Sequence, residues 1–264
     1  MVNFLELVKN ENMKIYRRPR SWVMSGILVA LVLLISILWL FFGGRDTSMW
    51  EVAIMESSVL FLLVTIFTVV IAAGGVAEEF TSGTIKLLLI RPWSRSKILL
   101  SKYIAIILFA LLLAVVLFIS ALFVNWVIFG INQSEEVKQA FQLPGEENPL
   151  MYMLQYYGLT FITLLVTVTL AFMLSTIFRS GGLAIGFSLF LVLGVNGFIG
   201  LIAMLDYKWI DYVLFIHLNL TQYLNDFPMR EGMTLGYSLG VLAVYYAIFI
   251  ALTWYVFNKR DVAS

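Results

Sequence analysis

Chemistry needs particular side chains at particular spacings, and this sequence offers few of them. It contains no cysteine, which excludes disulfides, thiolate metal sites and a cysteine nucleophile. Its one histidine, His217, rules out a multi-histidine metal site within a single chain. No His-Glu-x-x-His, Gly-x-Ser-x-Gly or Gly-x-x-x-x-Gly-Lys-Ser/Thr pattern occurs, so zinc hydrolysis, serine-hydrolase chemistry and phosphate-loop ATP binding are not encoded. No catalytic residue and no metal site are expected. His217 lies in an apolar stretch and reads as structural, while Glu56, near the outer start of an apolar segment, reads as an interfacial acid.

The densest polar run is EEFTSGTIKLLLIRPWSRSKILLSKY, from Glu78 to Tyr103. Its adjacent acids, Glu78 and Glu79, stand among basic residues and call for partners, with a salt bridge inside the loop as the simplest case. Thr81 and Ser82 are natural N-caps for a helix beginning near Gly83 or Thr84. Ile85, Leu88 and Leu89 then share one helical face, which Leu87 and Ile90 broaden. Arg91-Pro92 stops the helix after about two turns, because the residue before a proline avoids the α region. Ser94 or Ser96 can cap the next helix, with Arg95, Lys97 and Lys102 at headgroup level. Such a short apolar helix either lies on its own protein's inner surface or fills a groove in a soluble partner.

The elements that hold this run follow from hydropathy. The chain has 264 residues, 61% of them hydrophobic and 12% charged, with mean hydropathy +0.95. That composition belongs to an integral membrane protein, not to a soluble domain. Six segments have the roughly twenty apolar residues a bilayer requires: 22–42, 54–77, 98–129, 151–178, 183–205 and 235–257. The short alternating segments of a membrane barrel are absent, so the class is all-α. With both termini in the cytoplasm, 13 of the 17 lysines and arginines fall inside and four outside (Arg45, Lys138, Lys208 and Arg230). Trp22, Trp39, Trp50, Trp93, Trp126, Trp209 and Trp254 all fall near predicted span ends or in loops, as an interfacial belt requires. The amino-terminal region is too long and polar for a cleavable signal. Instead, residues 2–20 predict an amphipathic helix lying on inner-leaflet lipid and ended by Pro19. Residues 130–150 predict a solvated outer loop, and 206–232 an outer segment that dips into the membrane between spans five and six. A net charge of +1 without a basic block gives no sign of a nucleic-acid partner.

The order of features from Glu79 onward is specific. Ser82-Gly83-Thr84, the apolar quartet Leu87–Ile90, Arg91-Pro92, Ser94–Leu100 and Lys102-Tyr103 resemble the permease subunits of the ABC type-2 exporter superfamily. The whole chain resembles that layout, and Phe178-Arg179-Ser180-Gly181 faintly echoes Phe80-Thr81-Ser82-Gly83. The resemblance implies that Thr84–Ile90 is a cytoplasmic coupling helix docking on a separate ATP-binding cassette subunit. The coupling site would comprise Glu78, Glu79, Ser82, Gly83, Thr84, Ile85, Leu88, Leu89, Arg91, Pro92 and Arg95, with the charged residues as polar anchors. ATP and magnesium would then be bound by the partner, and this chain would need no cofactor. A second permease subunit, identical or paralogous, would complete the pathway in the cell membrane. Thr65, Thr68 and Asn196 are candidates to line it if the second and fifth spans face the subunit interface, and close helix packing is the other reading of these residues. An apolar pathway suits a peptide, drug or lipid-like cargo. The competing expectation is a non-transporting immunity or sensor subunit that recruits a soluble ATPase.

Overall fold

The computed structural model describes residues 4–43, 48–84, 93–130, 148–195, 198–199, 207–225, 227–230 and 232–259. Among these the protein is helical throughout, with no strand. In order the helices are α1 (Phe4–Tyr16), α2 (Pro19–Phe42), α3 (Met49–Thr81), α4 (Arg95–Phe129), α5 (Pro149–Ile177), α6 (Gly181–Leu189) and α7 (Leu235–Lys259). A π-helical turn, Phe190–Gly194, continues α6, and three 3₁₀ turns, Lys208–Tyr212, Leu214–Leu218 and Leu220–Leu224, precede α7.

Five helices, α2, α3, α4, α5 and α7, are long and apolar enough to cross a membrane. In hydrocarbon the backbone must satisfy its own hydrogen bonds, so long apolar runs become continuous helices. Polar side chains mark where they start. Ser48 accepts from the Trp50 amide, Ser94 from Lys97, Asn148 from Leu150 and Ser180 from Leu183. Pro19 and Pro149 open α2 and α5, where a missing amide hydrogen costs nothing. The expected span 183–205 is described as helix only through the π-helical turn and a short piece at Phe198–Ile199, and Asn196 lies outside the described residues.

At 1.5 Å per residue the 33 residues of α3 run about 50 Å, well beyond a roughly 30 Å hydrocarbon core. A helix of that length projects beyond the hydrocarbon, and Glu78 and Glu79 lie at its end. The predicted span, 54–77, is extended at both ends, to Met49 and Thr81. This helix is the central post, packed by α2, α4, α5 and α6. Small residues make that possible: Ala72, Ala73 and Ala77 are buried, and a methyl at Gly75 would come within 3.2 Å of Ile106 on α4. The approach to α5 is close enough for Ser175 Oγ to accept from the amides of Val76 at 2.9 Å and Ala77 at 3.0 Å. Phe109, Leu113, Leu117 and Phe172 fill the space between α3, α4 and α5. In contrast, α2 and α7 bury only 17% of their most apolar windows and turn large aliphatic faces outward.

The turns between α6 and α7 belong to the protein's packing. Ile210, Leu214, Ile216 and Leu220 are buried against α5 and α7 or among one another. His217 is completely buried, with Nε2 2.9 Å from the Asp211 carbonyl and Nδ1 2.8 Å from Ser238 Oγ. A carbonyl only accepts, so Nε2 carries the hydrogen and Nδ1 accepts from Ser238. The histidine is a structural bridge, as its apolar setting foretold.

Candidate functional site

The final turn of α3 delivers Glu78 and Glu79 to the end of the bundle that carries most of the lysines and arginines. Glu78 finds its partners outside the polar run, whereas one partner of Glu79 is Lys102 of the same run, within α4. Glu78 pairs with Arg18 at 2.6 Å and Arg20 at 3.0 Å, from the elbow joining α1 to α2. Glu79 meets Lys102 of α4 at 3.0 Å and Lys14 of α1 at 3.5 Å. A third acid, Glu11 of α1, closes the set, with Lys14 at 2.7 Å and Lys102 at 3.0 Å. Three carboxylates and four cations thus clasp α1, α2, α3 and α4 together at one point.

Burial makes part of this clasp strong. Glu11 and Lys102 are each only 5% exposed, whereas the Arg18 side chain is about half exposed. Burial pushes the Glu11 carboxyl upward, but Lys102 and Lys14 outweigh it and hold the group below its usual range. On α1 the same face buries Leu7 against Ile98 of α4, with Trp93 packed alongside. Within the stretch 2–20, where the sequence predicts a helix on inner-leaflet lipid ended by Pro19, α1 runs from Phe4 to Tyr16, its buried face meets protein, and Pro19 opens α2.

The exit from α3 differs from the sequence expectation. Thr81 and Ser82 were expected to cap the start of a new helix, yet they close the old one. Thr81 is the last residue of α3, and the Ser82 amide and hydroxyl both return to the Glu78 carbonyl, at 2.9 Å and 2.8 Å. A Ser or Thr hydroxyl can satisfy a terminal carbonyl as readily as an amide, so residue type alone does not fix which helix end it serves. Gly83 then turns the chain with φ +71°, a conformation that costs any side-chain-bearing residue. Thr84 follows, with its hydroxyl on the Glu79 carboxylate. Ile85, Leu88, Leu89, Arg91 and Pro92 lie outside the described residues.

Two further ties brace the same end. Thr81 Oγ1 is 3.2 Å from the Arg179 carbonyl and accepts from the Gly181 amide at 3.1 Å, so the α5–α6 loop is pinned to α3. The approach at Gly181 is tight, since a methyl there would come within 3.3 Å of Glu78 Cγ. Arg95 Nη1 donates to the Asn258 carbonyl at 3.2 Å, joining the start of α4 to the end of α7. Between the elbow, α3 and α4 lies a cavity of about 460 Å³ lined by the charged Glu78, Glu79 and Lys102 and by the apolar Ile15, Ile71 and Ile106.

Of the candidate pathway residues, Thr65 and Thr68 donate to their own preceding carbonyls, Phe61 at 3.0 Å and Val64 at 2.7 Å, and Thr68 is fully buried. Thr160, Thr163 and Thr167 of α5 do likewise. Among the described residues no group of three His, Asp or Glu side chains is placed to hold a metal ion.

Sequence reasoning did not single out Glu11, and it misplaced a second buried acid. The sequence predicts an interfacial acid at Glu56, but the side chain is entirely enclosed by protein and contacts Ser36 of α2 and Asn125 of α4. The available signal was Asn125 itself, a lone amide inside an apolar span.

A family defined as "Protein of unknown function (DUF2705)" matches residues 32–263. The chain belongs to this family. It is 33% identical to the Bacillus subtilis (strain 168) protein named "Uncharacterized protein YhcI", across 98% of this chain and all of that one. It is also 30% identical to "Uncharacterized membrane protein YdbK" of the same organism, over 76% of this chain and 78% of that protein. Together with the five long apolar helices, these matches make this DUF2705 member a multi-pass membrane protein.

Proposed function

We propose that the chain is the permease subunit of an ATP-driven exporter, coupling ATP hydrolysis in a separate cassette subunit to export of an amphipathic or hydrophobic substrate. The reading places both termini and the basic end in the cytoplasm of a plasma-membrane protein, counts 183–205 as a sixth span, and pairs the chain with a second permease subunit. In this reading residues 84–90 would serve as the coupling segment, and 206–232 would dip into the outer face of the membrane.

The observation that supports it is the clasp at the end of α3. The chain leaves α3 and turns at Gly83, about one helical turn after two acids that are bonded at once to α1, the α1–α2 elbow and α4. A force applied to the segment beyond Gly83 is therefore delivered to four helices and, through Thr81, to the α5–α6 loop. An ATPase that draws two such segments together would bias the spans between two arrangements, because its contact differs between them.

Leu88→Asp combined with Leu89→Asp should abolish co-purification of a phosphate-loop ATPase encoded beside this protein, while membrane insertion persists. Unchanged co-purification sinks the coupling assignment. Reconstitution of both proteins separates the exporter from a sensor or immunity subunit: an exporter stimulates ATP turnover and moves cargo, whereas a recruiting subunit binds the ATPase without transport.

A further inference from the structure

Glu56 stands in the third turn of α3 and is fully buried, with no cation in contact with it among the described residues. Its neighbours from the packed helices are Ser36 of α2, Asn125 of α4 and, next to it in the chain, Ser57, which bonds the Tyr157 hydroxyl of α5 at 2.8 Å. None of these carries positive charge. An isolated buried carboxylate costs several kcal/mol in such surroundings, so the protons available to the cluster decide its state.

The hydrogens can be counted. Asn125 Nδ2 lies 2.7 Å from Glu56 Oε2 and 2.8 Å from the Ala121 carbonyl. Because a carbonyl only accepts, that atom must be the nitrogen, and its two hydrogens are used. Ser36 Oγ is left with three oxygens around it: Glu56 Oε1 at 2.7 Å, the Val32 carbonyl at 2.9 Å and Asn125 Oδ1 at 3.2 Å. One hydroxyl hydrogen cannot serve three acceptors. With an ionised Glu56 only one of these contacts is a hydrogen bond, and two set oxygen against oxygen. A proton on Oε1 donates to Ser36 Oγ and frees the serine hydrogen for Val32 or Asn125. When it turns to Asn125, the ring Glu56–Ser36–Asn125–Glu56 closes with a donor on every edge.

The geometry points to a proton-binding site at Glu56, in which the protonated carboxyl ties α2, α3 and α4 together within the membrane domain. The ligand is a proton, held by Oε1 and shared with Ser36. Parting α2 or α4 from α3 removes the groups that hold it, and the carboxyl then releases the proton to water as a carboxylate. Any rearrangement of these three helices is thereby linked to proton binding. The assignment does not depend on the exporter reading, which concerns the opposite end of α3.

Infrared difference spectroscopy on the full chain in detergent at neutral pH tests it. Wild type should show a protonated-carboxyl C=O band, above the amide envelope, that is missing in Glu56→Gln. Glutamine keeps the shape and can present its NH2 to Ser36 and its carbonyl oxygen to Asn125, so the ring and the fold should survive. In Ser36→Ala the band should persist but move to higher frequency, since its acceptor is gone. The assignment is overturned if wild type and Glu56→Gln differ instead by a carboxylate stretch. A band that does not move in Ser36→Ala overturns it as well, and that comparison stands even if Glu56→Gln fails to fold.

Discussion

Replacing Lys102 with methionine should cost this protein about 3 kcal/mol of stability. Methionine keeps the unbranched apolar stem and removes the charged, hydrogen-bonding end. Lys102 Nζ sits 3.0 Å from Glu11 Oε2 and 3.0 Å from Glu79 Oε1, and it is only 5% exposed. Removing one partner of a buried pair typically costs about 3–5 kcal/mol, because the remaining charge is stranded away from water. Lys14 still reaches both acids, at 2.7 and 3.5 Å, which places the loss at the low end. The folded-to-unfolded ratio should fall roughly 150-fold, at about 1.36 kcal/mol per decade. Arg18→Ala provides the contrast. That side chain is about half exposed, so its pair with Glu78 should contribute at most about 1 kcal/mol despite the shorter distance of 2.6 Å. Equilibrium unfolding in mixed detergent micelles, followed by tryptophan fluorescence, measures both. Adding Glu11→Gln to Lys102→Met removes one stranded charge, so the double variant should lose less than the sum of the single losses. A Lys102→Met loss under about 1 kcal/mol, or strict additivity in the cycle, would refute the buried clasp.

Acid should loosen the same clasp. The Glu11 carboxyl is held below its usual value, so its contribution to stability is present above the unfolded carboxyl range near pH 4.3 and is lost as pH falls through the lowered folded value. Melting temperatures between pH 3 and 7 should show this acid loss in wild type and a smaller one in Glu11→Gln. His217 predicts a second window, because burial lowers its affinity for a proton, more than the neighbouring Asp211 raises it. Its neutral form therefore favours the fold above about pH 6.5, and that advantage is lost as pH drops below 6.5 toward the lowered value. His217→Gln should flatten the stability profile between pH 5 and 7; an unchanged profile would mean that the Asp211–His217–Ser238 bridge does not form.

Much of this could be read along the chain, for local reasons. Hydropathy marks the five long helices because each apolar run must satisfy its own backbone. Ser94 and Pro19 mark helix starts because a cap or a missing amide acts within one turn. Glu78 and Glu79 could be singled out as acids in need of partners, since they sit against the run of basic charge. Which partners they take could not. Arg20, Arg18 and Lys14 are 58, 60 and 65 residues away, and Lys102 meets Glu11 across 91. Those pairs exist because the small residues of α3 let its neighbours pack close, and the identity of a neighbour is a property of the packed bundle. The same holds at Thr81, whose hydroxyl could serve either helix end until Gly181 and the Arg179 carbonyl arrived beside it. It holds most sharply at Glu56. Its place near the start of a span suggested contact with water, but Ser36 and Asn125 come from helices on either side and shut water out. Span, class and the need for charge partners are encoded in runs of neighbours along the chain, whereas the clasp and the buried acid arise where distant segments are forced into one dry space.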